Sequence, residues 1–271
     1  MLGFFPYLLL ALLYAALGWH LRRAFALGSA TLEGAQTWTR VATLPLLALH
    51  GWLLVQALFA GTVLNLGVGN AILTIAWLTV LVYWLASFRF PLEGLQILVL
   101  PAAALCLLLA AVLPAPHPLP YSGVPFMAHL AVSLLAYSLF TIAALHAMLM
   151  ALAEQRLHEH MLSKMLCNLP PLLTMENLLF RIIGAGFVLL TLAILSGILF
   201  SEELFHQGML FSHKTLFAIL SWIIYAALLG GRFIYGWRGR TAIIWTLSGF
   251  AMLVLAYLGS KFVLEILLHR A

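Results

Sequence analysis

The chain has 271 residues, of which 65% are hydrophobic and 8% are charged, with a formal net charge of +5. A soluble domain carries about 25% charged residues, so the composition argues against a water-soluble enzyme. It argues equally against a nucleic-acid-binding module, because the cations sit between long apolar runs, as in the cytoplasmic loops of membrane proteins.

A spanning helix needs roughly 20 apolar residues. Eight such runs can be placed, at 4–21, 41–60, 69–88, 94–114, 126–152, 178–200, 214–235 and 242–268. They predict an all-α, polytopic transmembrane helical bundle, a single membrane domain over 1–271 with the lipid bilayer as its first partner. No positive charge precedes the first run and Arg22 and Arg23 follow it, so a cleavable signal peptide is not expected. The second run carries His50 near its middle. The first half is otherwise poor in polar side chains, with Gln56, Asn65 and Asn70 as exceptions. Cys106 lies in an apolar run and Cys167 in a polar loop, with no CxxC or zinc spacing. The fifth run carries His129 about one turn inside one end and His146 seventeen residues later, about 25 Å deeper by helical rise. The polar stretch 154–177 is too short to build a core and reads as a solvated connector, with a short interfacial helix before Pro170 and Pro171. Later, Ala193/Gly197, Ala226/Gly230, Ala227/Gly231 and Ala256/Ser260 repeat small residues four apart, a spacing that lets helices approach closely in lipid.

The cations orient the bundle. The loops after the first, third, fifth and seventh runs, with adjoining helix ends, hold Arg22, Arg23, Arg40, Arg89, Arg156, Lys164, Arg181, Arg232, Arg238 and Arg240. The other side holds Lys214, Lys261 and Arg270. Ten against three is a positive-inside bias, and it places both termini outside, in the periplasm of a Gram-negative host.

Ionisable groups inside a membrane are costly and point to function, although a neutral histidine bonded to a neighbouring helix carbonyl is the ordinary alternative. That alternative suits His146; for His50 and His129 a functional role is the stronger reading. All eight acids are glutamates and none falls in the central part of a span, which argues against a proton-coupled pump and for imidazole as a neutral ligand of iron or copper. A metal site without haem lacks HxxxH or HxxE spacing on one face. Haem needs one or two axial histidines, an apolar pocket and cations for its propionates, for which Lys214, Lys261 and Arg270 are available on the outer side. These uses stay open on residue chemistry alone.

Several segments carry a resemblance. His129-Leu-Ala-Val-Ser-Leu-Leu-Ala-Tyr137 places Tyr eight residues after His. Leu192-Ala-Ile-Leu-Ser196-Gly197, Ser221-Trp222-Ile-Ile-Tyr225 through Arg232, and Gly69 through Trp77 follow the same family order. Together they resemble the cytochrome c assembly protein family over about 40–269. The YpjD/HemX-like inner-membrane branch is the nearest, through Asn168-Leu-Pro-Pro171 to Glu176, Gly236-Trp-Arg-Gly-Arg240 and Ala256-Tyr257-Leu-Gly259-Ser260. The resemblance implies a bacterial inner-membrane protein that handles haem at the outer face. His129 matches a first external haem ligand and His269 falls close to a second. His50 matches a histidine of the branch, and Tyr137 and Lys214 join the cofactor-binding set.

The departures matter too. Haem-presenting members carry an external tryptophan-rich motif ending in Trp-Asp-Pro-Lys-Glu, where this chain has Phe205 to Thr215 with only Lys214 in common. Gly230 and Gly231 stand where the family has a histidine. The reading is therefore a non-covalent b-type haem binder, accessory to cytochrome c or haem biogenesis. No covalent haem ligase activity is expected of this chain alone, and other biogenesis proteins are expected as partners. Two rivals remain: a HemX-like regulator of tetrapyrrole synthesis acting through the loops 154–177 and 232–240, and a small-solute transporter, for which the polar interior is too sparse.

Overall fold

The computed structural model describes residues 4–27, 29–59, 64–90, 92, 94–113, 123–158, 168–205 and 213–259. Its elements are the helices α1 (Phe4–Leu27), α2 (Ser29–Leu58), α3 (Val68–Ala86), α4 (Gln96–Val112), α5 (Val124–His158), α6 (Leu172–Phe205), α7 (His213–Tyr235) and α8 (Gly239–Val254). A π turn, Leu255–Gly259, closes α8. Seven of these helices are long and apolar enough to cross a membrane, and α4 is a shorter apolar helix of 17 residues. The all-α polytopic bundle expected from the eight runs is what forms.

Apolar side chains lie on both the inside and the outside of the bundle. On α1, Leu10, Tyr14, Leu17 and Leu21 are buried while Phe5, Leu9, Leu12 and Trp19 are exposed. On α6, Val188, Leu192, Leu195 and Leu199 form an exposed stripe at helical spacing, opposite the buried Leu179, Ile183 and Leu190. In water such stripes would be unstable; in a bilayer they are the lipid-facing surface. Threonine hydroxyls within the helices are satisfied locally. The hydroxyls of Thr39, Thr43, Thr74, Thr79, Thr141, Thr191 and Thr246 each donate to the carbonyl four residues earlier in their own helix, as a medium without water requires.

The helices form two groups. Helices α1, α2, α3 and α4 pack on one another, as do α5, α6, α7 and α8, and α3 and α4 join the groups through α5. Glycine sets the closest approach in the second group. A Cβ on Gly249 of α8 would stand 2.8 Å from the Tyr225 ring of α7, and Tyr225 stacks on Phe140 of α5 at 4.0 Å. Of the small-residue pairs read from the sequence, Gly197 and Gly231 do face close neighbours, whereas a Cβ on Gly230 meets nothing within 4 Å. Ser260 lies outside the described residues.

Helix ends differ from the apolar runs. Helix α2 begins at Ser29 rather than 41, α5 continues to His158 and α6 begins at Leu172 rather than 178. Much of the expected 154–177 connector is thus helical at its two ends. Hydropathy registers the stretch that suits hydrocarbon, and a helix continues beyond it wherever its polar groups find partners.

Candidate functional site

His129 sits on α5 where that helix meets α6, the most extensive helix pairing in the bundle. Its Nδ1 lies 2.8 Å from Ser196 Oγ, and Gly197 makes the room: a Cβ there would approach His129 Cε1 to 3.3 Å. Ser196 Oγ also stands 2.7 Å from the Leu192 carbonyl and 3.1 Å from the Ala193 carbonyl of its own helix. In the tautomer in which Ser196 donates to its own helix, its oxygen accepts from Nδ1–H and the imidazole lone pair falls on Nε2.

Two other predicted residues, Lys214 and Tyr137, belong to the same end of the bundle, while Lys261 and Arg270 lie outside the described residues. Lys214, at the start of α7, acts electrostatically on His129. Its Nζ stands 5.1 Å above the Tyr257 ring, within cation–π range. Tyr257 lies in the π turn and packs against Tyr137 with ring centroids 5.9 Å apart, and the Tyr137 hydroxyl donates to the Leu253 carbonyl at 2.9 Å. Single π turns are frequent at functional sites. Tyr257 thus links Lys214 with Tyr137, and Ser196 links His129 to α6. Both linking residues stand in segments quoted for the family resemblance, but nothing in their spacing announces their contacts. Next to the cluster, between α6 and α7, an apolar groove of about 180 Å³ is lined by Thr191, Ile194, Leu195, Ile219 and Trp222.

His50 has different surroundings. It is fully buried, with Nδ1 3.4 Å from the Tyr14 hydroxyl of α1. Nε2 completes no hydrogen bond of good geometry among the described residues, the Leu73 backbone of α3 being its polar neighbour. Its partners come from α1 and α3, those of His129 from α6 and α7, so the structure does not bring the two imidazoles together. His269 lies outside the described residues. His146 is buried with Nε2 2.9 Å from the Met175 carbonyl of α6, the interhelical contact of a structural histidine. Among the described residues no three His, Cys, Asp or Glu side chains converge.

A second polar cluster escaped the sequence reading. Glu176 of α6 is 6% exposed. Its Oε1 pairs with Arg232 Nη1 of α7 and lies 3.7 Å from Arg238 Nε, and its Oε2 accepts from the Gly239 amide at 3.1 Å. One carboxylate thereby caps α8 and clamps the turn between α7 and α8. Two segments noted for their resemblance, 168–176 and 236–240, meet here.

The sequence profile described as Cytochrome C assembly protein matches residues 38–268. The Inner membrane protein YpjD of Escherichia coli strain K12 is 34% identical over 143 residues, 52% of this chain and 52% of that protein. The Cytochrome c biogenesis protein CcsA of Synechocystis is 37% identical over 86 residues, 32% of this chain and 26% of that one. The CcsA of Nostoc shows the same identity over the same length, 24% of its own. The chain thus spans about half the length of the YpjD relative and about a quarter of the CcsA relatives. No solved structure matches it. The profile covers α3 to α8, including His129, Ser196, Lys214, Tyr257 and the Glu176 clamp, and on that match the chain belongs to the cytochrome c assembly protein family.

Proposed function

We propose that this multi-pass protein resides in a bacterial inner membrane and handles haem, non-covalently bound, as an accessory of cytochrome c or haem biogenesis. The relatives support the biological setting, since two are named cytochrome c biogenesis proteins and one an inner membrane protein. The observation that carries the reading is the contact of His129 Nδ1 with Ser196 Oγ at 2.8 Å. A metal-bound imidazole usually donates its other ring N–H to such an acceptor, and the tautomer with Nδ1–H on Ser196 would leave Nε2 to coordinate.

The donor set fits haem in part. It offers one axial imidazole, an ammonium at Lys214 for a propionate, and the rings of Tyr257 and Tyr137 as an aromatic wall. The groove between α6 and α7, at about 180 Å³, is smaller than the roughly 300–1,000 Å³ of sites that enclose a ligand. Haem would therefore lie against the His129 end of the bundle rather than within it. His269 is the proposed second axial ligand on that side; His50, held in the other helix group, is the lesser candidate. When bound, the iron supplies reversible one-electron chemistry; the chain's part is to coordinate, to hold the carboxylates and to exclude water from one face.

The test is an absorption spectrum, oxidised and reduced, of protein expressed with added haem, for wild type, His129→Ala, His269→Ala, His50→Ala and His146→Ala. His129→Ala is expected to empty the site or change the spin state, and His146→Ala to leave the spectrum as in wild type. A His129→Ala spectrum identical to wild type would sink the assignment.

A further inference from the structure

The turn between α7 and α8 has a feature that haem at the other end does not use. It is pinned on several sides. The Trp237 amide donates to the Gly231 carbonyl at 3.2 Å, and Arg232 Nη1 donates to the Trp237 carbonyl at 3.3 Å. Glu176 holds the Gly239 amide. The Trp237 ring lies so close to Gly231 that a Cβ there would reach it at 2.4 Å, and it packs on Trp245 with centroids 5.0 Å apart. Gly236 and Gly239 take positive φ, 66° and 52°, which few other residues adopt. The backbone of this turn is fixed, and its side chains point outward from a rigid frame.

Those side chains are of two kinds. Arg238 and Arg240 are exposed, and so is Arg181 on α6. Glu176 is the carboxylate set against the turn, and Arg232 takes its close oxygen while Arg238 stays at 3.7 Å with 64% of its side chain exposed. Arg181 and Arg240 make no hydrogen bond or ion pair among the described residues. Immediately before the turn, the last residues of α7 expose Phe233, Ile234 and Tyr235 at 88%, 74% and 75%. Guanidinium groups directly beside an unsheltered apolar helix end match the level at which acyl chains give way to phosphates.

We propose that the α7–α8 turn is a headgroup site for anionic phospholipid, with Arg238 and Arg240 gripping the phosphate and Phe233 and Ile234 seated among the acyl chains. Charge complementarity selects the anionic class, since the exposed guanidinium groups outnumber the one carboxylate, which is already occupied. The apolar helix end, covered by acyl chains like the other exposed stripes, sets Arg238 and Arg240 at the level of the lipid phosphates, so a lipid headgroup is the anion within direct reach. Arginine forks also suit phosphate oxygens better than a point charge does.

Native mass spectrometry of the full chain in detergent tests this, with phosphatidylglycerol and phosphatidylcholine of the same acyl length as probes. Wild type is expected to retain phosphatidylglycerol in preference to phosphatidylcholine. R238Q/R240Q is expected to lose about thirtyfold in apparent affinity for phosphatidylglycerol, about fivefold for each cation at a charged bilayer surface. R22Q/R23Q removes an equal charge from α1, where both arginines lie over Trp19, and is expected to bind as wild type does. Equal retention of the two lipids by wild type would overturn the site. So would undiminished phosphatidylglycerol binding by R238Q/R240Q, or an equal loss in R22Q/R23Q.

Discussion

A serine hydroxyl has one proton to give, and Ser196 Oγ lies within reach of its own helix carbonyls as well as of His129 Nδ1. The proposed ligation through Nε2 uses Ser196 as the acceptor of Nδ1–H, and it leads to a graded prediction. Ser196→Ala removes the acceptor of Nδ1–H and frees the ring to rotate or change tautomer. Loss of such a partner typically weakens metal binding by about 10- to 100-fold, whereas His129→Ala removes the ligand itself. A haem titration followed by absorbance should therefore rank wild type above Ser196→Ala, and Ser196→Ala above His129→Ala. Equal affinities for wild type and Ser196→Ala would show that the ring is held by other contacts. The depth of His129 was legible from its place in an apolar run. Its pairing with Ser196, 67 residues away, was not, because helices apolar on every side give little clue to which face meets which neighbour.

Single helices show the same limit from another side. The eight runs locate the helices, yet α6 starts six residues earlier than its apolar run, and those six residues contain Glu176. A carboxylate just outside a hydrophobic run looks like part of a solvated loop; only the fold shows it 6% exposed with Arg232, Arg238 and Gly239 around it. Removing one partner of a buried ion pair costs about 3–5 kcal/mol, so Glu176→Ala should unfold at a markedly lower temperature in detergent. Glu176→Gln, whose single amide oxygen keeps an acceptor for only one of Arg232 and Gly239, should lie between. A Glu176→Ala melting curve that overlays wild type would mean the clamp is dispensable. Glycines permit a second comparison within one bundle. Gly249→Ala drives a methyl to 2.8 Å from Tyr225, whereas Gly230→Ala meets nothing within 4 Å. Overpacking of the first kind costs about 1–3 kcal/mol. The melting temperature should fall for Gly249→Ala and hold or rise for Gly230→Ala, since alanine is the better helix former. The sequence motif of paired small residues pointed at Gly230 and passed over Gly249, because four-residue spacing marks a possible seam without saying whether a helix lies against it.

At the scale of the whole molecule, two hydrogen-bonded pairs fix the ends of the bundle relative to each other. His129 meets Ser196, and His146 meets Met175, so α5 and α6 run antiparallel. Twenty residues separate Glu176 from Ser196, a rise of about 30 Å and close to the thickness of the hydrocarbon core. The His129–Ser196 pair and the arginine-bearing turn therefore belong to opposite membrane faces. Arg156, Arg181, Arg232, Arg238 and Arg240 mark the Glu176 face and Lys214 the other, so the cation bias predicts a cytoplasmic Glu176 face and an external His129. Reporter fusions after Arg89, within 154–177 and after Arg240 should then report cytoplasm, and fusions within 115–125 and at Ala271 should report the exterior. The decisive fusion is the one within 115–125. It follows α4, which at 17 residues rises only about 25 Å; with α8 continued by its π turn, α4 is the one described helix whose length leaves its crossing marginal. A cytoplasmic signal there would mean that α4 enters and leaves by the same face, and the alternation on which the external placement of His129 depends would fail from that point on. An external signal there, with cytoplasm reported on both sides of it in the sequence, requires α4 and α5 each to cross, and with α6 antiparallel to α5 it puts Ser196 and His129 on the outer face.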